Sequence, residues 1–200
     1  MLIRRRKHSI HEDESGFTLV ELIITSSLSV MVLAIAGSIF IAGLRTQEAA
    51  KSVTDAANTA QLIVRSIQAG VKNASAISVT SNAVTGTQLL MARTVSTDPN
   101  SSAASCQDWY YTPSSGGFLY TRRTTPATPI SIPVNGPQGS WTLLGTGVMP
   151  ADAATGKVFN APSGDRVELR FSVSAGSHPY VLINTMNYRT QSTTLSLPCF

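Results

Sequence analysis

Between Phe17 and Leu44 the chain runs 28 residues in which Glu21 is the only ionisable side chain. No other feature restricts its fold as strongly. The hydrocarbon core of a bilayer is crossed by about 20 helical residues, so the stretch is long enough to span with some tilt. Arg4, Arg5, Arg6 and Lys7 precede it, and Arg45 is the first basic residue beyond it. That bias predicts a cytoplasmic N-terminus, with everything after Leu44 translocated. Glu21 requires an explanation, because a carboxylate in an apolar helix is costly and is kept where it has a partner or a task. One account is local: Thr18-Leu19-Val20-Glu21 has the spacing of a capping box, and a carboxylate in the first turn suits the helix dipole.

A second account rests on the whole arrangement. A basic leader, Gly16, Phe17, Thr18-Leu19-Val20-Glu21 and a long apolar helix together resemble the N-terminal signal of type IV prepilins and type II secretion pseudopilins. The resemblance is specific from Ser15 to Leu44 and general beyond. It implies a leader, residues 1–16, removed by a prepilin peptidase that cuts between Gly16 and Phe17 and methylates the Phe17 amine. It also implies that apolar helices pack into a filament core, where Glu21 neutralises the Phe17 ammonium of a neighbouring subunit and sets axial register. An intrachain contact across one turn is the alternative. Burying either charge alone is costly. The partners implied are other pilins or pseudopilins, an inner-membrane platform protein and a cytoplasmic assembly ATPase. The location implied is a single-pass plasma membrane protein that later enters a surface or periplasmic filament. Many major pilins carry a proline midway along this helix, whereas here there are only Gly37 and Gly43, which leans toward a minor pilin or a pseudopilin.

A rival processing site is Ala34-Ile35-Ala36 before Gly37, an A-x-A pattern whose cleavage would release a secreted domain. Against it, Glu12, Asp13 and Glu14 would fall in the charged region and Glu21 with Thr25-Ser26-Ser27 in the apolar region.

Beyond the helix, chemistry is sparse. There is no G-x-S-x-G, P-loop or H-E-x-x-H, and two of the three histidines, His8 and His11, lie in the leader. His178 beside Pro179 reads as a turn residue, and Gly145-Thr146-Gly147 fails as a dinucleotide fingerprint because Pro150 stands at the final glycine position. The reading is therefore of a protein that is not an enzyme and takes no cofactor. Asp152 and Asp165 are conceivable calcium ligands without EF-hand spacing. Cys106 and Cys199, both in the translocated part, predict one disulfide. Without the leader the net charge falls from +4 to +3, is spread thinly over arginines and reads as a solvated surface; Arg122-Arg123, the one adjacent pair beyond the leader, is where nucleic-acid capture or adhesion would be sought.

Val53, Ala57, Ala60, Val64, Ile67 and Val71 recur at spacings of four and three, one face of an amphipathic helix. No proline lies between Phe17 and Ala76, so one helix is expected to about Lys72, roughly 84 Å long. The expected divisions are residues 17–44 for membrane or filament core, 45–75 for the amphipathic continuation and 76–200 for a β-rich domain. Strands are expected at Ile77–Ser81, Gln88–Val95, Asp108–Thr112, Phe118–Arg123, Trp141–Leu144, Arg166–Val173 and Tyr180–Arg189, with hairpins joining the third to the fourth and the sixth to the seventh. Trp109, Tyr110 and Tyr111 are expected in the core. Four prolines make Thr124–Pro137 a loop or edge segment, and Asp98–Ser105 reads as a polar loop. The class expected is α+β, a long helix backing an antiparallel sheet.

Overall fold

Helix α1 (Leu19–Lys72) is 54 residues long. In this computed structural model the residues described are 16, 18–94, 104–133, 136–176, 178–189 and 199. Residues 1–15 of the leader, Phe17 and most of the loop from Asp98 lie outside them. The chain divides into two compact units, residues 1–47 and 48–200. In the second, α1 ends where the Asn73 side-chain amide donates to the Ala69 carbonyl at 3.0 Å, satisfying one of the carbonyls that a helix end leaves orphaned. The chain then enters the sheet at once.

Strands β1 (Ala74–Ser81), β2 (Gln88–Thr94), β3 (Ser105–Thr112), β4 (Phe118–Thr124) and β5 (Thr142–Thr146) form an antiparallel meander in sequence order. A second sheet is built on β8 (Arg166–Ala175), which pairs β9 (His178–Tyr188) along one edge. Its other edge carries β6 (Val148–Pro150) and β7 (Phe159–Ser163) one after the other. The architecture is α+β, and both expected hairpins are present. The sequence reading missed β6 and β7. Both are short, both contain a proline (Pro150, Pro162) and neither alternates cleanly; edge pairing on β8 tolerates the missing N–H groups.

One hydrophobic cluster joins the elements of the second unit. It combines Ala60, Ile63, Ile67 and Val71 of α1 with Leu90, Trp109, Tyr111 and Leu119 of the first sheet and Leu169, Phe171 and Val173 of the second. Across the sheets, the Gln88 side-chain oxygen accepts hydrogen bonds from the Val158 and Phe159 amides at 2.9 and 3.0 Å. The buried stripe of α1 is Ala56, Ala60, Ile63, Ile67, Gly70 and Val71, slightly rotated from the one expected. Val53 is exposed, and Val64 packs at the margin of the cluster.

Glycine explains the rotation. A Cβ on Gly70 would lie 2.2 Å from Cη2 of Trp109, whose indole is fully buried and donates from Nε1 to Ser66 Oγ at 3.0 Å. Across the same interface, a Cβ on Gly145 would stand 2.6 Å from Thr59 Cγ2. Gly145 is thus a packing residue, and Gly147 (φ 71°) turns β5 into β6, which accounts for the Gly-Thr-Gly run without a ligand. Replacing glycine by alanine inside a helix normally stabilises by about 1 kcal/mol. Here overpacking of about 1–3 kcal/mol opposes it. Gly70→Ala is therefore expected to lower the denaturation midpoint, and a raised midpoint would show that the indole moves aside freely.

Candidate functional site

Two regions carry the residues singled out by sequence. The first is the start of α1. Thr18 precedes the helix, and its Oγ1 accepts the Glu21 amide at 3.3 Å, the threonine half of the capping box read from Thr-x-x-Glu. Gly16 and Glu21 are exposed; Phe17, the expected cleavage and methylation residue, lies outside the described residues. The hydroxyls of Thr25, Ser26, Ser27, Ser29 and Ser38 all donate to carbonyls three or four residues back, at 2.7–3.0 Å for the shortest bond of each. Every one of these polar groups is thereby satisfied within its own helix, the condition for placing them in hydrocarbon.

Around them the surface is apolar and bare. Leu19, Leu22, Ile24, Leu33, Ile39 and Phe40 each keep more than half of their surface exposed. α1 is long and apolar enough to cross a membrane, and none of its most apolar window is buried.

The second region is the face of the first sheet turned away from α1. Trp109 and Tyr111 point toward the helix, so alternation sends Cys106, Asp108 and Tyr110 to the outer face. Leu89, Met91 and Tyr110 form a small second cluster there, against which Tyr120, Ile130, Ile132 and Trp141 pack. The proline-bearing segment expected as a loop thus covers this face, its Ala127 amide bonded to the Ala104 carbonyl at 2.8 Å. Trp141 belongs to the cover, and β5 starts only at Thr142. Cys106 and Cys199 are bonded on this face.

Arg122 and Arg123 are adjacent in sequence but opposite in space. Arg123 turns to the helix side, donating to Ser105 Oγ at 3.3 Å, while Arg122 stands opposite Asp108 in the outer row. The pair does not form one basic patch. Asp152 Oδ1 accepts the Ala154 amide at 2.9 Å, and Asp165 accepts the Ser163 hydroxyl, so both conceivable calcium ligands serve turns. Among the described residues no three of His, Cys, Asp and Glu gather as metal ligands would. His178 opens β9 instead of lying in the turn.

Sequence reasoning missed Asp108. It is fully buried, and neither carboxylate oxygen has a hydrogen-bond partner. Burial pushes its pKa from 3.8 up to about 7, against the attraction of the Arg122 guanidinium. The signal was available: an acidic residue directly before Trp-Tyr-Tyr in a hairpin whose register sets an arginine opposite it. No family model, no curated protein and no solved structure matches the chain. Its residues are the ground for assigning function.

Two outcomes are expected. The disulfide closes a loop spanning 93 residues, for which the chain-entropy model gives about 4–5 kcal/mol. Cys199→Ser should lower the unfolding free energy by an amount of that order, read from denaturant titrations. Asp108 has a folded pKa above its unfolded value, so its contribution is fully present below about pH 3.8 and is lost as pH rises through about 7. The loss is on the order of 4 kcal/mol at most. Asp165 acts the opposite way: its pKa is lowered, first by the Ser163 hydroxyl, so its contribution is lost only as pH falls below the usual carboxylate range. Stability should therefore decline between pH 4 and 7 in the native chain, and Asp108→Asn should flatten that slope.

Proposed function

We propose that the chain is a structural subunit of a type IV pilus or type II secretion pseudopilus, a minor pilin or pseudopilin that acts by packing and not by catalysis. The observation that carries the reading is the first half of α1, whose long apolar side chains are exposed around one carboxylate and a set of internally satisfied hydroxyls. Such a surface demands a cover. Lipid provides it before assembly, and the same helices of neighbouring subunits provide it afterwards. The prepilin-like residues around Gly16 support this choice over a permanent anchor, because they supply a reason for the carboxylate to be there. In this reading the N-terminus is cytoplasmic, residues 48–200 lie outside, and a prepilin peptidase, a platform protein and an assembly ATPase act on the chain in turn.

Glu21 has two tasks of different worth. Its amide takes part in the helix cap whatever its side chain is, so the cap survives substitution. The carboxylate is free to pair with the Phe17 ammonium of a neighbour. In hydrocarbon an unpaired charge of either sign costs several kcal/mol, which makes the paired register the favoured one.

The N-terminus of the protein from native membranes, determined by mass spectrometry, tests the processing: N-methyl-Phe17 is expected, whereas a Gly37 start would mean a secreted domain. Glu21→Ala should leave insertion and cleavage intact and strongly reduce recovery of the protein in sheared or detergent-extracted filaments. Incorporation at the native level would sink the register role.

A further inference from the structure

The outer face of the first sheet holds an unusual set of buried polar atoms. In the register Met91, Asp108 and Arg122 stand side by side, and Arg93, Cys106 and Thr124 make the next row. Both oxygens of Asp108, Nε of Arg93, Nε of Arg122 and Oγ1 of Thr124 are buried without a hydrogen bond. Orphaned groups at this density are rare in native structures and call for an explanation.

Over this face lies the cover, residues 125–133 and 136–141, which contain no ionisable side chain. Three apolar side chains hold it down: Ile130, Ile132 and Trp141, the last with its ring 5.8 Å from that of Tyr110. The fit is loose. A cleft of about 380 Å³ opens between Arg122, Ile130, Gln138 and Trp141, and another of about 390 Å³ between Tyr110, Thr112, Ile132 and Pro133. Water and a moving arginine therefore have room beside the cover, though not at Asp108 itself.

We propose that Asp108 is a proton-operated latch: its neutral carboxyl lets residues 125–133 and 136–141 lie closed on the outer face, and its ionisation lifts them. A neutral carboxyl is tolerated beneath an apolar cover; an anion with no hydrogen bond is not. The groups facing Asp108 are few. Arg122 on β4 and Arg93 on β2 are cations, Tyr110 and Tyr120 flank the row, Cys106 is tied in the disulfide, and the cover contributes no charge. When the proton leaves to solvent, the carboxylate gains either water from the cleft or a hydrogen bond from Arg122. Both require Ile130 and Trp141 to move away. Opening bares Leu89, Met91 and Tyr110, an apolar patch on the domain that the closed form hides.

The two tryptophans make the motion readable, since Trp109 is fully buried in the helix-side core and Trp141 is only partly buried in the cover. Acrylamide quenching of the full chain in detergent micelles therefore reports chiefly on Trp141. Followed from about pH 5 to about pH 9, quenching should rise through a one-proton step. Hydrogen exchange of peptides from the cover, corrected for intrinsic rates, should accelerate over the same step while β3 peptides stay protected. Asp108→Asn should hold both readouts at their low-pH values throughout. Arg122→Gln, which removes the charge that favours the anion, should move the midpoint to higher pH, and it decides the matter if the asparagine variant does not fold. A flat native profile, a step surviving in Asp108→Asn, or an unmoved midpoint in Arg122→Gln would each overturn the latch.

Discussion

The close approach of α1 to the first sheet at Gly70 is the contact on which the second unit depends. With no side chain there, the Trp109 indole lies directly on the helix backbone, and Ile63 and Ile67 reach the sheet beside it. Trp109 is among the largest fully buried side chains, and burying aromatic surface is worth more than any single hydrogen bond nearby. From that contact the rest follows. β3 is fixed with odd positions toward the helix, so its even positions, Cys106, Asp108 and Tyr110, face the other way. The meander then needs a second cover, which the proline-bearing segment supplies.

This gives the first sheet two unequal sides. On the helix side the apolar cluster is continuous with the second sheet. The outer side is a thin layer of three isolated apolar anchors, flanked by clefts and by buried groups that lack partners. Strength and adaptability are thus separated by one strand's thickness. The disulfide pins Cys199 to the outer side at Cys106, and both cysteines are fully buried there.

Much of the fold was legible locally. Seven strands and both hairpins announced themselves through alternation and turn residues, and the helix through its proline-free length, because these depend on near neighbours in sequence. The rotation of the helix face was not legible: Gly70 looks like a weak helix residue until the indole that needs its space is known. β6 and β7 were hidden by Pro150 and Pro162, which argue against strands in general and are harmless on the edge of β8. Arg122 and Arg123 read as a pair along the chain and are separated by the pleat.

By itself the sequence determined that residues 17–44 seek an apolar environment, that Glu21 is the lone charge within it, and that a β-rich domain with one possible disulfide follows. Composition and spacing suffice for these, since hydrophobic length and charge act without knowledge of distant residues. Only the tertiary structure decided that the proline-rich loop lies over the outer face of the first sheet, that two glycines are packing sites, and that Asp108 is sealed from water opposite an arginine it does not bond. Each of these is a property of residues far apart in the chain, and burial and its electrostatic cost exist only once the strands have met.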